Sequence, residues 1–266
     1  MNILEEITLS TKKRVEEKKK ILPLDAIKEA AYSIDGAFAH LPFAYPFEAA
    51  LGGSDISFIC EVKKASPSKG IFATHFPYVQ IARDYEDAGA AAISVLTEPF
   101  WFKGSDEIFR EIADAVKIPL LRKDFTVDSY MIYEAKLLGA SAILLICSIL
   151  DKETLSEYQK IAHDLGLSVL VEAHDEAEVE MALSANARII GVNNRNLKTF
   201  DVDISLSERL RELVPPEVLF VSESGINTAE DIQKLREINA DAVLIGESIM
   251  RSADKKAAIN KLKGLV

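Results

Sequence analysis

Short apolar stretches alternate with stretches of helical spacing along most of the chain. Eight β-branched, apolar runs recur, at residues 57–62, 91–97, 118–125, 141–147, 167–173, 187–193, 217–224 and 241–248. Most are nearly continuous apolar runs, which is typical of parallel strands covered on both faces. Between them, apolar residues return at helical spacing, as Ile232, Leu235 and Ile238 do at three-residue steps. The pattern therefore predicts eight strand–helix units.

Eight such units in about 210 residues favour an α/β fold, a closed (β/α)8 barrel of the TIM type. A doubly wound open sheet is the alternative, but no glycine-rich dinucleotide-binding motif follows any run. Residues 1–45 precede the first run, are rich in charge and helical in pattern, and lead into a Pro-containing connection at residues 39–47. Because they are too few for a second domain, we expect residues 1–266 to form a single barrel domain. Residues 1–45 would be a helical extension packed over its catalytic end.

Composition and charge narrow the classes of function. Hydrophobic residues make up 48% of the chain and charged residues 27%, the balance of a folded protein. A net charge of −11 argues against a nucleic-acid partner, although it leaves room for a small basic pocket. The charged N-terminus does not resemble a signal peptide, and no apolar run approaches about 18 residues, so we expect a cytoplasmic protein with no membrane segment. The oligomeric state stays open, and a monomer is compatible with the sequence.

The cysteines and histidines do not suggest a metal site. Cys60 and Cys147 both lie inside apolar runs and are interpreted as reduced core residues. Four scattered histidines and two distant cysteines do not supply a zinc-ligand set. His174 follows a strand and is interpreted as a loop or capping residue.

Charged and polar residues end five of the eight predicted strands, on the side where barrel enzymes carry their active sites. They are Glu61 with Lys63, the segment Arg122-Lys123-Asp124, Glu172, Asn193, and Glu223 with Ser224. One such residue could be a solvated strand end or part of a buried ion pair, but five favour a shared site. The two-residue period of a strand puts Glu61 and Lys63 on one side and turns Arg122 away from Lys123, so that Arg122 is expected to be structural.

Two glycine-containing segments are candidates for binding phosphate. Residues 222–226 follow the seventh run and residues 245–250 the eighth, where barrels often hold phosphate on backbone N–H groups. Gly225 and Gly246 would let the backbone approach an anion closely. The polar, basic loop at 63–72 is interpreted as a substrate-covering loop, with an ordinary surface loop as the alternative.

Seven motifs, in order along the whole chain, resemble those of indole-3-glycerol phosphate synthase, the enzyme of tryptophan biosynthesis that closes the indole ring. They are EVKKASPSKG, LTEPFWFKGS, LLRKDF, VEAHD, IGVNNRNL, SESGI and LIGESIM. The resemblance implies a carboxy-lyase that converts 1-(2-carboxyphenylamino)-1-deoxyribulose 5-phosphate to indole-3-glycerol phosphate, carbon dioxide and water. The implied partner is this small anionic phosphorylated substrate, and no metal or other cofactor is implied.

Carried over position by position, the resemblance implies roles for fifteen residues. The implied catalytic residues are Lys123, Lys63, Glu172, Glu61, Asn193, Glu223 and Ser224. The implied substrate and phosphate contacts are Ser66, Arg195, Gly225, Gly246, Glu247, Ser248, Phe102 and Phe125, the two phenylalanines near the substrate ring. Glu247 stands where some relatives have a small or hydroxyl residue, so its side chain is expected to point away from the phosphate.

Two other functions stay open on the residues alone. A Schiff-base aldolase on the same scaffold is one, because lysines on barrel strands also form imines. A phosphate-binding barrel without catalysis is the other, and the intact set of Lys63, Lys123 and Glu172 argues against it. The sequence does not assign the acid and the base of each proton transfer.

Overall fold

A closed barrel of eight parallel strands forms the core of the computed structural model, which describes residues 2–34, 45–71, 75–197 and 199–265. The strands are β1 (Ser57–Val62), β2 (Ala92–Leu96), β3 (Leu120–Lys123), β4 (Ala142–Ile146), β5 (Ser168–Ala173), β6 (Ile189–Asn193), β7 (Leu219–Glu223) and β8 (Ala242–Ile245). Neighbours pair in chain order, and β1 also pairs with β8, with Ser57 opposite Ala242. This closure confirms the predicted (β/α)8 barrel and excludes the open sheet.

The described residues form twelve α-helices, nine of which follow a barrel strand. They are α1 (Ile3–Ile21), α2 (Leu24–Ser33), α3 (Pro46–Leu51), α4 (Tyr78–Asp87), α5 (Asp106–Ala115), α6 (Ser129–Leu137), α7 (Lys152–Asp164), α8 (Glu176–Ser184), α9 (Ser205–Arg211), α10 (Ala229–Glu237), α11 (Glu247–Met250) and α12 (Lys255–Lys263). A 3₁₀ turn at Cys147–Ile149 follows β4, and a short hairpin pairs Ala65–Ser66 with Gly70–Ile71 after β1.

Alternate residues of the strands face two hydrophobic layers, which explains why the runs are apolar almost throughout. Inside the barrel, Ile59, Leu121 and Val221 are fully buried and belong to one cluster. On the other face, residues such as Val95 and Ile190 pack in the layer between strands and helices. Because side chains fill the barrel interior, the space for a ligand lies at the ends of the strands.

Helices α1 and α3 lie at opposite ends of the barrel. Arg14 of α1 donates a 2.8 Å hydrogen bond to Asp124, which directly follows β3, so α1 lies at the expected end. Helix α2 packs against α6, and residues 35–44 lie outside the described residues. The interpretation of residues 39–47 as a connection was wrong at its end, because Pro46 starts α3, where proline suits the first turn. Phe47 of α3 is buried in the barrel interior at the amino ends of the strands.

Candidate active site

A cavity of about 710 Å³ opens at the carboxyl ends of the barrel strands. Ile3, Leu4 and Ile7 of α1 form part of its wall. All fifteen residues implied by the resemblance line it, namely Glu61, Lys63, Ser66, Phe102, Lys123, Phe125, Glu172, Asn193, Arg195, Glu223, Ser224, Gly225, Gly246, Glu247 and Ser248. The fold therefore brings residues from strands far apart in the sequence into one site.

The ammonium of Lys123 lies between two glutamates. Its Nζ donates hydrogen bonds of 3.1 Å to Oε2 of Glu172 and of 3.1 Å to Oε2 of Glu223. The three residues belong to β3, β5 and β7, so rigid strands hold the group. Burial alone would lower the pKa of Lys123, but the attraction of Glu223 and Glu172 outweighs it and raises the pKa above its ordinary value. Lys123 is therefore a charged ammonium around neutral pH.

The two glutamates that hold Lys123 differ in pKa, although both are buried. Burial raises the pKa of Glu223 to about 7, against the pull of Lys123. Burial also disfavours the ionised form of Glu172, but Lys123 and His174 hold the pKa of Glu172 below its ordinary value. The Asn193 amide also donates a 3.2 Å hydrogen bond to Oε1 of Glu172. Near neutral pH, an ionised Glu172 thus lies across Lys123 from a Glu223 that readily exchanges its proton.

A second lysine–glutamate pair lies at the end of β1. Lys63 forms a hydrogen-bonded ion pair with Glu61, two residues away on the same side of the strand. A Cβ atom added at Gly246 would lie 2.6 Å from Oε1 of Glu61 and 3.1 Å from Nζ of Lys63. The absence of a side chain at Gly246 therefore leaves room for this ion pair.

The loops after β6 and β7 form a polar corner of the cavity. Ser224 and Gly225 both have left-handed backbones, with φ of 67° and 84°, and a Cβ on Gly225 would lie 2.5 Å from Cγ1 of Val202. The Ser224 hydroxyl donates a 2.9 Å hydrogen bond to Oδ1 of Asn193, which also accepts the Arg195 N–H at 3.1 Å. Glycine is required at position 225 by both its backbone conformation and the close contact.

Helix α11 begins at this corner of the cavity, after β8. The Glu247 carboxylate accepts a 3.0 Å hydrogen bond from Nε of Arg251 and lies 4.0 Å from a guanidinium nitrogen of Arg195. The Ser248 hydroxyl donates a 3.2 Å hydrogen bond to the Ile226 carbonyl. The Glu247 carboxylate thus lies next to two arginine side chains. The first backbone N–H groups of a helix have no acceptor within the helix, so those of α11 are available to a ligand.

Two phenylalanines form an apolar part of the wall. The ring centroids of Phe102 and Phe125 lie 6.0 Å apart, with the ring planes tilted by 42°. Glu98, which is buried, accepts the backbone N–H groups of Phe100, Trp101 and Phe102 at 2.9, 2.7 and 3.0 Å. Glu98 therefore shapes the aromatic loop, a role that depends on loop geometry and that no sequence pattern indicated.

Arg122 points away from the cavity, in agreement with the alternation along β3. Its buried guanidinium donates hydrogen bonds to Asp106 at 2.7 Å, to Glu134 at 2.6 Å and to the Met131 carbonyl at 2.9 Å. These partners belong to α5 and α6, so Arg122 joins the strand to the helix layer.

His174 contacts the catalytic candidate Glu172, a contact that its interpretation as a loop or capping residue did not include. It lies in the loop after β5, with Nε2 3.2 Å from Oε1 of Glu172 and Nδ1 2.9 Å from Oε2 of Glu178. Burial disfavours the charged ring, but both carboxylates outweigh it and raise the pKa of His174 to about 10. A signal was present in the sequence, because residues two apart on a strand share a side and His174 follows Glu172 by two.

In the part of the chain that the structure describes, no group of three or more His, Cys, Asp and Glu side chains could hold a metal ion. None of the described helices is long and apolar enough to cross a membrane. Cys60 and Cys147 are buried free thiols, and burial raises the pKa of each to about 12.

The sequence is similar to proteins of one family along nearly its whole length. The family model described as indole-3-glycerol phosphate synthase matches residues 4–262. A protein of that name from Ruminiclostridium cellulolyticum is 58% identical over 262 residues, which cover 98% of this chain and 99% of the relative. Another from Lachnoclostridium phytofermentans is 49% identical over 270 residues, which cover 99% of this chain and 100% of the relative.

Solved structures with low sequence identity share the fold. Thiamine phosphate pyrophosphorylase from Pyrococcus furiosus aligns with a TM-score of 0.60 at 15% identity, over 79% of this chain and 94% of that chain. A chain of the tryptophan synthase a2b2 complex from the same organism aligns with a TM-score of 0.60 at 14% identity, over 79% and 98%. At such identities the likeness shows the barrel fold alone.

Proposed function

The chain belongs to the indole-3-glycerol phosphate synthase family, and from this premise we propose how its own side chains carry out the reaction. The enzyme closes the indole ring of 1-(2-carboxyphenylamino)-1-deoxyribulose 5-phosphate and releases carbon dioxide and water, a carboxy-lyase reaction of tryptophan biosynthesis. The observation that carries the proposal is the ammonium of Lys123, held between Glu172 and Glu223 in the cavity wall.

Ring closure needs an acid at the C2′ carbonyl oxygen while the aryl carbon attacks C2′. Lys123 is this acid, because its Nζ is charged and held at the end of a barrel strand. The carbonyl oxygen becomes a hydroxyl, and Lys123 becomes a neutral amine. Glu223, whose pKa of about 7 suits proton exchange near neutral pH, returns a proton to that amine.

Decarboxylation follows, because loss of carbon dioxide returns the electrons of the breaking carbon–carbon bond to the ring and restores its aromaticity. A cation near the leaving carboxylate orients it, and Lys63 supplies this cation. Glu61 keeps the Lys63 ammonium in the cavity wall through their ion pair. The aromatic ring of the substrate packs against Phe102 and Phe125.

Dehydration needs an acid for the C2′ hydroxyl and a base for a proton on C1′. Lys63 protonates the hydroxyl, which leaves as water. Glu172 removes the C1′ proton, and the released electron pair forms the double bond of the indole. Asn193 supports this step, because its amide bonds Glu172 while its carbonyl oxygen accepts from Ser224.

The substrate phosphate occupies the polar corner formed after β6, β7 and β8. Arg195 supplies a positive charge there, and the left-handed turn at Ser224 and Gly225 supplies backbone N–H groups. The first N–H groups of α11, at Glu247 and Ser248, add further donors, and Ser66 contributes its hydroxyl from the hairpin after β1.

Alanine substitutions at the two glycines should separate phosphate binding from catalysis. Gly225→Ala would strain a left-handed turn and press on Val202, so KM should rise roughly tenfold, equivalent to about 1.4 kcal/mol, with kcat near the wild-type value. Gly246→Ala would also displace the Glu61–Lys63 pair, so KM should rise and kcat should fall. Steady-state kinetics of both variants test this difference. An unchanged KM in both would place the phosphate elsewhere.

The charge of Lys123 also argues against a Schiff-base aldolase. Imine formation requires a neutral amine, whereas Glu223 and Glu172 keep Lys123 protonated. Borohydride treatment in the presence of a keto-sugar phosphate should therefore leave the protein mass unchanged. A reduced covalent adduct on Lys123 or Lys63 would instead favour the aldolase.

A further inference from the structure

The contacts of Lys123 do not distinguish its two glutamate neighbours. Its Nζ lies 3.1 Å from Oε2 of Glu172 and 3.1 Å from Oε2 of Glu223, and both carboxyl groups are buried. The proposed reaction nevertheless needs them in different states, with Glu172 as an ionised base and Glu223 as a carrier of a proton. Pairs of carboxyl groups take different roles when their surroundings push their pKa values apart. Groups other than Lys123 must therefore create the difference.

The difference lies at the second oxygen of each carboxyl group. Oε1 of Glu172 is 3.2 Å from Nε2 of His174 and accepts a 3.2 Å hydrogen bond from Asn193. Oε1 of Glu223 is buried and has no hydrogen-bond partner among the described residues. It lies instead over Gly191, where an added Cβ would be only 2.3 Å away. The surroundings thus favour charge on Glu172 and leave Glu223 poorly solvated.

Two carboxylates flank the His174 ring. Its Nδ1 is 2.9 Å from Oε2 of Glu178 in α8, and its backbone N–H donates a 2.8 Å hydrogen bond to the same oxygen. Its Nε2 lies 3.2 Å from Oε1 of Glu172 on β5 without hydrogen-bond geometry, so this contact is electrostatic. Cys147, in the 3₁₀ turn after β4, lies near Glu178 and is neutral, because burial raises its pKa to about 12. The Asp175 carboxylate caps α8 by accepting the N–H of Glu178. The pKa of His174, about 10, follows from these two carboxylates.

We propose that His174 is a positioning residue that sets apart the two glutamates bound to Lys123: its imidazolium keeps Glu172 a carboxylate and leaves the shared proton on Glu223. The assignment rests on the proposed roles of Glu172 and Glu223. Asn193 cannot replace His174 in this, because a neutral amide adds a hydrogen bond but no charge. His174 acts through Glu172 and does not line the cavity.

The test compares neutral and cationic replacements of His174. The measured quantity is the rate constant of a single turnover as a function of pH. An opposite charge within about 4–6 Å lowers a carboxyl pKa by about 1–3 units, so His174→Gln should raise the pKa of Glu172 and move the acid limb up by about that amount. Substrate affinity, measured as KM, should stay close to wild type. His174→Lys keeps a cation beside Glu172 and should leave the limb near its wild-type position. Melting temperatures show whether each variant folds, and His174→Asn is a second neutral variant for the same measurement.

His163→Gln is the matched control, since His163 lies at the other end of the barrel against Tyr45 and burial holds its pKa at about 4. It should leave the pH profile unmoved. A uniform loss of kcat in His174→Gln and His174→Asn, with the acid limb in place, would overturn the proposal. An acid limb that shifts by the same amount in His174→Lys as in His174→Gln would also overturn the proposal. Glu172→Gln separates this failure from that of the catalytic assignment, because it should abolish the dehydration step whatever His174 does.

Discussion

Lys123→Ala should lower kcat by about 10²- to 10⁴-fold, the usual effect of losing a positioned general acid. The variant should stay folded and still bind a phosphate-bearing substrate analogue, because the polar corner that would hold the phosphate is formed by other strands. Rapid-quench analysis of a single turnover should show unreacted substrate accumulating. The same analysis of Lys63→Ala should show a later species, since Lys63 acts after the ring has closed.

Lys123→Arg should not restore activity, although it keeps the positive charge. A guanidinium is planar and carries its N–H donors in a fixed fork, so it does not reproduce the position of the Lys123 ammonium between Glu172 and Glu223. Binding of the same substrate analogue is the control for a correctly folded site. Near-normal single-turnover ring closure in Lys123→Ala would contradict the role of Lys123.

Arg122→Met should destabilise the protein by about 3 kcal/mol, the lower end of the cost of breaking a buried ion pair. Arg122 is buried, and its loss would remove one of the two cations that Asp106 and Glu134 share. Lys18 also pairs with both carboxylates, which limits the cost. Methionine retains much of the apolar volume, so the change isolates the charge. Urea denaturation measures the loss as a lower free energy of unfolding.

Arg209→Met is the matched control for Arg122→Met. Arg209 forms a 2.9 Å ion pair with Glu176 at the surface, and such exposed pairs contribute about 0–1 kcal/mol. The folded fraction of Arg122→Met should keep most of its kcat, because Arg122 faces the helices and not the cavity. Equal stability of the two arginine variants would contradict the structural role of Arg122.

The barrel and the positions of the site residues at the strand ends followed from the sequence because strand geometry is regular, whereas contacts such as Arg195, Phe125 and Ser248 were implied only by the family resemblance. The two-residue period placed Lys123 in the cavity and Arg122 outside it, and the same period paired Glu61 with Lys63. Because the carboxyl ends of all parallel strands lie at the same end of the barrel, Glu172 was expected in the same site. These inferences required only the direction of each strand and the alternation along it.

Features that depend on contacts between distant segments could not be predicted in this way. The room that Gly246 leaves for the Glu61–Lys63 pair arises because β8 pairs with β1, the first and last strands of the barrel, which meet only when the barrel closes. Glu98 shapes its loop through three backbone N–H groups, and no residue pattern encodes that geometry. Phe47 of α3 packs into the barrel interior. The mixture of apolar residues and prolines around Phe47 did not predict this contact.

Indole formation by the purified protein is the most direct test of the central claim. Mixing the protein with 1-(2-carboxyphenylamino)-1-deoxyribulose 5-phosphate should produce indole fluorescence, with one carbon dioxide released for each indole formed. The signal should not depend on added metal or redox cofactor, since each proposed step uses side chains of this chain. No fluorescence from the folded wild-type protein, or equal fluorescence from Lys123→Ala, would contradict the account.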